Sequence, residues 1–181
     1  MLRLMILRHA KSDWGAPGRP DRDRPLAPRG ERAATLMGGV LAADEYRPDR
    51  VLVSPAQRTR ETLDGVLAVL GAPAPAVATI DGLYEPGSGN YQSVIAAHGD
   101  AASRLLVVGH NPASHATALM FAGRGDRQLL ADLADRYPTA ALAVIDFDAD
   151  AWSAIAPRSG TLAAFLTPRA VARADEDVGD D

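Results

Sequence analysis

The sequence predicts an α/β protein, a three-layer α/β/α arrangement in which helices cover both faces of a mostly parallel central sheet. Short apolar runs, typical of strands buried on both faces, alternate along the chain with longer segments of helical periodicity. The length of 181 residues matches one domain, and 47% hydrophobic with 23% charged residues is a globular composition. Glycine and proline separate the runs, as expected at the ends of elements.

The apolar runs predict strands at 2–7, 51–53, 76–80, 105–108, 140–147 and 161–167. Helical periodicity predicts helices at 29–44, from Pro55 to Leu70 and, more briefly, at 91–98, with another that opens at Pro112. Apolar residues of the second helix lie at i, i+3, i+4 and i+7 and therefore share one face: Leu63, Val66, Leu67 and Leu70.

Helix boundaries follow from capping residues. Ser54 and Asn111 each precede a proline, which predicts that they are N-caps and that Pro55 and Pro112 open helices. Gly71 is expected to stop the second helix.

Composition and charge exclude several classes of protein. Absence of cysteine excludes disulfide scaffolds and thiolate metal sites, and no apolar run approaches a membrane span. Residues 1–60 carry a net charge of +5, from 12 bases and 7 acids, without basic runs interleaved with aromatic residues. We therefore expect a cytoplasmic protein that binds neither nucleic acid nor membrane, with one domain over 1–169 and a disordered acidic tail over 170–181.

Three predicted strands end in unusual polar residues. Arg8 and His9 follow the first strand, Ser54 and then Arg58 follow the second, and His110 follows the strong strand at 105–108. Because ligands of open α/β sheets bind beyond the carboxyl ends of the strands, we expect these side chains to converge. Two helix N-termini would point to the same place, which favours an anion.

This combination of residue types predicts a phosphate pocket with a nucleophile. Guanidinium groups grip phosphate oxygens, and a neutral imidazole can attack phosphorus to form a phosphohistidine. The neighbouring arginines would lower the pKa of that histidine and offset transition-state charge, while the second histidine donates to a phosphoryl oxygen. No carboxylate cluster suited to a metal occurs, and no cofactor is predicted.

Four motifs in order resemble those of the histidine phosphatase (phosphoglycerate-mutase-like) superfamily, and the resemblance covers about residues 1–169. The motifs are Leu7-Arg8-His9-Ala10, the segment from Arg24 to Gly30, Ser54-Pro55-Ala56-Gln57-Arg58, and Gly109-His110-Asn111-Pro112. Ala10, the following Lys11-Ser12-Asp13-Trp14 and the Gly-His-Asn-Pro form resemble the SixA-like phosphohistidine phosphatase branch. The resemblance implies His9 as nucleophile, with Arg8, Arg58 and His110 completing the pocket.

The resemblance leaves the general acid open. Leu83-Tyr84-Glu85 resembles the motif whose Glu protonates a leaving alkoxide in phosphomonoesterases, but Glu85 could equally be a loop carboxylate paired with an arginine. Lys11 and Ser12 are either phosphate contacts or solvated loop residues, and Asn111 is a further candidate phosphate ligand.

We expect a phosphatase that acts on phosphohistidine of a signalling or phosphotransfer protein. The alternatives are a broad phosphomonoesterase of small phosphoesters that uses Glu85 as its acid, and a catalytically idle module that binds phospho-ligands. Nothing in the sequence predicts an oligomeric state.

Overall fold

The computed structural model describes residues 1–14, 17–43, 45–85 and 89–178, with side chains described as far as residue 174. In these ranges the chain forms one seven-stranded sheet in the order β3-β2-β4-β1-β6-β7-β5. Its strands are β1 (Leu2–Arg8), β2 (Arg50–Val53), β3 (Ala76–Thr79), β4 (Arg104–Gly109), β5 (Ala122–Gly125), β6 (Leu142–Phe147) and β7 (Gly160–Leu166). Its helices are α1 (Pro28–Ala42), α2 (Gln57–Leu70), α3 (Gln92–His98), α4 (Ala113–Phe121), α5 (Arg127–Asp135) and α6 (Pro168–Val178).

The sheet is mostly parallel, as predicted. β3, β2, β4 and β1 pair in parallel, and β5 pairs in parallel with β7. β6 runs antiparallel to both of its neighbours, β1 and β7. The four parallel neighbours bring the carboxyl ends of β1, β2 and β4 to one edge.

Two buried clusters cover opposite faces of the sheet and confirm the three layers. Leu4 and Ile6 of β1 face the cluster that contains α3, α4 and α5, whereas Met5 and Leu7 face the cluster that contains α1 and α2. The alternation follows from the strand period of two, and both faces are apolar because helices cover each.

Both predicted N-caps were wrong. α2 begins at Gln57 with Ala56 as N-cap, and α4 begins at Ala113 with Pro112 as N-cap. Ser54 and Asn111 use their side chains for long-range hydrogen bonds, to His110 Nε2 and to the Tyr137 carbonyl respectively. Long-range hydrogen bonds thus take the place of N-capping at Ser54 and Asn111, and each helix starts later in the chain than predicted.

The C-terminal segment also differs from the prediction. α6 begins at Pro168, where the sequence predicted a disordered tail over 170–181, and Val171 packs against the cluster that contains α1. The Thr167 hydroxyl accepts a hydrogen bond from Ala170 N at the start of this helix. Packing and capping therefore hold the start of α6, ahead of the acidic residues, while residues 179–181 lie outside the described residues.

β5 and α5 were not predicted. β5 is short, and its Gly123, Arg124 and Gly125 are not strand formers, so it lacks the apolar signature of the other strands.

Among the described residues, no helix has the length and apolarity needed to cross a membrane.

Candidate active site

The carboxyl ends of β1, β2 and β4 build one pocket. Arg8 is paired with Gly109, and Val53 with Val108, so the residues that follow these strands lie side by side. His9 and His110 are each only 8% exposed, and their ring centroids lie 5.2 Å apart. Arg58, on the first turn of α2, is 7% exposed. The structure therefore brings together the four residues that the sequence placed in the phosphate pocket.

His9 is held in one orientation by the backbone. Its Nδ1 lies 2.7 Å from the Ala10 carbonyl oxygen, an acceptor, so we assign the ring proton to Nδ1 and the lone pair to Nε2. Burial lowers the pKa of His9 most, and the positive charges of Arg58 and Arg8 add to this effect, so that the pKa is about 4. At neutral pH His9 is therefore an uncharged imidazole with a free Nε2, which is the nucleophilic form.

His110 is anchored on both its backbone and its ring. Its backbone N donates to Tyr91 Oη over 2.8 Å, and its Nε2 lies 2.8 Å from Ser54 Oγ. A Cβ at Gly109 would lie 2.5 Å from the same Tyr91 hydroxyl, so this approach requires glycine. Burial, followed by the neighbouring His9, lowers the pKa of His110 to about 3.

Two buried nitrogen atoms of the pocket have no hydrogen-bond partner among the described residues. They are His110 Nδ1 and Arg8 Nε. An unpaired buried polar atom costs roughly 1–3 kcal/mol, so such atoms point to a ligand that supplies the missing acceptor. With Ser54 donating to Nε2, His110 Nδ1 carries a proton that can be donated to a phosphoryl oxygen.

Arg8 and Asn111 converge on a residue that the sequence did not single out. Arg8 Nη1 donates to the Tyr137 carbonyl over 2.8 Å, and Asn111 Nδ2 donates to the same oxygen over 2.9 Å. The buried Tyr137 hydroxyl in turn donates to the Ile6 carbonyl of β1 over 2.6 Å. Tyr137 thus ties the loop before β6 to the pocket, and the Asn111 amide nitrogen is used for this tie.

Arg58 carries a carboxylate partner that the sequence did not predict. Its Nη1 donates to the Asp21 carbonyl over 2.6 Å, and its Nη2 donates to Asp21 Oδ2 over 3.0 Å. Tyr84 Oη and Arg24 Nη1 donate to the two carboxylate oxygens over 3.0 and 2.9 Å. Burial alone would raise the pKa of Asp21, but these hydrogen bonds and the Arg58 charge lower it to about 2. The arginine that is expected to hold phosphate is therefore paired with an ionised carboxylate.

The remaining predicted residues lie around this core. Ser12 is buried, and its Oγ accepts a hydrogen bond from Arg24 Nη2 over 2.8 Å, so it helps to position the arginine that binds Asp21. Lys11 is half-buried and lines a neighbouring groove. Glu85 is exposed on the loop after Tyr84, and the structure does not bring it into contact with His9 or His110. Tyr84 itself lies edge-on to His110 with ring centroids 5.5 Å apart.

Sequence reasoning missed Asp21, Arg24, Tyr137 and the role of Ser54. Asp21 and Arg24 lie in a stretch at 15–28 that is rich in Arg, Asp, Pro and Gly, and its composition does not show which side chains reach the pocket. Gly15 and Ala16 of that stretch lie outside the described residues. Among the described residues, no group of three or more histidines and carboxylates is arranged to hold a metal ion.

A sheet edge that presents a neutral imidazole beside the buried Arg58 and the half-buried Arg8 is suited to phosphate chemistry. Comparisons with known proteins agree. The sequence profile of the Histidine phosphatase superfamily (branch 1) matches residues 4–98, and the chain belongs to that family. It is a SixA-like histidine phosphatase, a hydrolase of phosphorylated substrates.

Relatives extend this family assignment over most of the chain. The uncharacterized protein Rv1276c of Mycobacterium tuberculosis (strain ATCC 25618 / H37Rv) is 39% identical over 165 residues, which cover 90% of this chain and 100% of that protein. A structure assigned to phosphohistidine phosphatase SixA of Agrobacterium tumefaciens has 32% identity and a TM-score of 0.72, covering 92% of this chain and 98% of that chain. The corresponding protein of Nakamurella multipartitia has 32% identity and a TM-score of 0.74, covering 92% and 96%.

Proposed function

We propose that this phosphatase removes phosphate from phosphohistidine of a signalling or phosphotransfer protein through a covalent intermediate on His9. The contact between His9 Nδ1 and the Ala10 carbonyl carries the proposal, because it leaves Nε2 as the free nitrogen. Names of structural relatives that are 32% identical support the same substrate class.

In the first step, the Nε2 lone pair of His9 attacks phosphorus. The phosphorus–nitrogen bond of the substrate breaks, and its electron pair leaves with the substrate imidazole. If the other nitrogen of that imidazole carries a proton, the leaving group departs as a neutral ring. His9 keeps its Nδ1 proton on the Ala10 carbonyl, so the attack needs no general base.

In the second step, a water oxygen attacks the phosphorus of phospho-His9. The bond between phosphorus and Nε2 breaks, and the electron pair returns to the imidazole, which becomes neutral again. Both water protons stay with the phosphate until solvent removes one. The unpaired Arg8 Nε and His110 Nδ1 are the donors that we assign to phosphoryl oxygens in both steps.

Phosphohistidine fits this pocket better than a phosphoester. An alkoxide leaving group needs an acid, whereas Glu85 is exposed on a loop and Asp21 is ionised, with a pKa of about 2. The substrate imidazole whose other nitrogen is already protonated leaves as a neutral ring and needs a proton from neither carboxyl group.

The test measures phosphate release from a phosphohistidine-bearing protein in the presence of EDTA. Wild type should release phosphate and should carry a covalent phosphate on the peptide that contains His9. His9→Ala should lose turnover by at least about 10³-fold, the scale of losing a nucleophile. His98→Ala, which changes an exposed histidine on α3, is the matched control.

Three results would change the proposal. Release from a simple phosphoester without release from phosphohistidine would favour the phosphomonoesterase. Phosphate binding without turnover or a covalent intermediate would favour an idle binding module. Equal turnover by His9→Ala and wild type would refute His9 as the nucleophile.

A further inference from the structure

A groove of about 340 Å³ lies beside the phosphate pocket and is lined by positive side chains. Lys11, Arg29, Arg136 and Arg169 come from four separate segments of the chain and meet in its walls. We call this feature the cationic groove. Nothing in the proposed chemistry at His9 uses it.

Two segments of the chain connect the cationic groove with the active site. Lys11 is two residues from His9, and Pro138 and Thr139 line the groove directly after Tyr137. The Tyr137 carbonyl accepts from Arg8, and Ala140 N lies 3.2 Å from the His9 carbonyl that it donates to. Residues that flank a phosphorylated side chain on His9 are therefore close to the groove along both segments.

The lining of the groove contains no carboxylate, although Arg136 and Arg169 also line an adjoining cavity together with Asp132 and Asp135. Among the described residues, Lys11, Arg29 and Arg169 make no salt bridge. Arg136 lies 3.5 Å from Asp135, but both side chains are more than 70% exposed, at 78% and 73%. Such an exposed pair is weak and easily exchanged for another carboxylate.

A second groove supplies an internal contrast. It measures about 610 Å³, lies along β2, α2 and β3, and is lined by Arg60 together with Glu61 and Asp64. The charged residues of the two grooves therefore differ in net sign. An acidic segment is attracted to the cationic groove and repelled from the other one.

We propose that the cationic groove binds acidic side chains that flank the phosphorylated histidine of the protein substrate. This inference rests on the proposed function and narrows its substrate to proteins with carboxylates beside the phosphohistidine. A polypeptide fits better than a small ligand, because sites for small ligands are enclosed and mostly apolar, whereas Arg29, Arg136 and Arg169 are exposed.

The experiment uses two synthetic phosphohistidine peptides on the full chain. One has four glutamates around the phosphohistidine, and the other has glutamines at the same positions. Wild type should show a kcat/KM about tenfold higher for the glutamate peptide at low ionic strength, and the preference should fade with added salt.

Two double variants separate the groove from general charge. R29Q/R169Q should reduce the preference to about twofold or less, because two of the four groove cations are gone. R32Q/R127Q removes the same charge from exposed sites of α1 and α5 outside the groove, and should keep the preference and the turnover of wild type. Matching thermal unfolding of both variants shows that each is folded.

Binding of the unphosphorylated glutamate peptide, followed by fluorescence anisotropy, tests the groove without turnover. We expect R29Q/R169Q to bind it about fivefold to tenfold more weakly than R32Q/R127Q does. If neither phosphohistidine peptide is hydrolysed but this difference is seen, the proposed function fails while the groove stands.

Two other results would overturn the proposal that the groove binds acidic side chains. One is an equal preference for the glutamate peptide in R29Q/R169Q and R32Q/R127Q. The other is no binding of the glutamate peptide to wild type, as expected if acidic residues of the chain itself fill the groove. If R29Q/R169Q instead binds a small bisphosphate such as fructose 1,6-bisphosphate more weakly than wild type, with unchanged binding of the glutamate peptide, the groove is a subsite for small ligands.

Discussion

The two walls of the phosphate pocket are built in different ways. The inner wall, made by Arg8, His9 and His110, follows buried strands, and each residue is held by at least one backbone hydrogen bond. The outer wall, made by Asp21 and Tyr84, belongs to loops, and the Asp21 side chain is 54% exposed. In the proposed chemistry, the sheet therefore fixes the groups that react with phosphorus, while Asp21 of the outer wall competes with phosphate for Arg58. Residues of the inner wall should govern turnover, and residues of the outer wall should govern phosphate affinity.

Arg58 lies between the walls and should have the largest effect among the arginines. Arg58→Ala removes a buried guanidinium group from the pocket and should lower kcat/KM by about 100-fold, as expected for a lost transition-state donor. Arg60→Ala is the matched control, because Arg60 lies two residues after Arg58 on α2 and is exposed. Equal losses in steady-state kinetics of the two variants would place Arg58 outside the pocket chemistry.

Asp21 should affect affinity rather than chemistry. Phosphate has to compete with the Asp21 carboxylate for Arg58 Nη2, so Asp21→Asn should strengthen inhibition by inorganic phosphate about tenfold. Asp23→Asn changes an exposed carboxylate two residues further along the chain and should leave the inhibition constant unchanged. Unchanged or weaker inhibition in Asp21→Asn would mean that the carboxylate does not compete with the ligand.

The inner wall was predictable from the sequence because strand signals are local. Apolar runs marked β1, β2 and β4, and the residues at their ends had to meet at one edge. Arg58 followed from its place in a recognisable motif after β2. The outer wall was not predictable, because Asp21 meets Arg58 across 37 positions of sequence without any periodic signal.

The same limit explains the errors. Ser54 and Asn111 have the residue types of N-caps, and only the fold shows that His110 and Tyr137 use their side chains instead. In the C-terminal segment, acidic composition suggested disorder, but the packing of Val171 and a cap at Thr167 order the start of α6.

The inner wall should also make the protein sensitive to acid. Burial lowers the pKa of His9 to about 4 and of His110 to about 3, from 6.5 for an unperturbed histidine. Between pH 6.5 and about 4 the unfolded chain therefore binds more protons, so stability falls as the pH falls through this window. Each such histidine contributes a slope of about 1.4 kcal/mol per pH unit. Asp21, with a lowered pKa, loses its contribution only below its usual value of 3.8.

His110→Gln should remove about half of this slope in urea unfolding measured from pH 7 to pH 5. His98→Gln, at an exposed position, should keep the full slope. An unchanged slope in His110→Gln would mean that His110 is as easily protonated in the folded protein as in the unfolded one.

Glu85, which follows Tyr84 of the outer wall, tests whether this side of the pocket takes part in chemistry, and the expected effect is the smallest. Its carboxylate is exposed, and the structure does not place it against either histidine. Glu85→Gln should therefore change kcat/KM by less than about threefold for phosphohistidine and phosphoester substrates alike, because neither reaction receives a proton from this group. Parallel kinetics on one substrate of each class measure this. A selective loss of phosphoester hydrolysis would instead make Glu85 the acid for an alkoxide leaving group, and the outer wall would then supply a catalytic proton as well as controlling affinity.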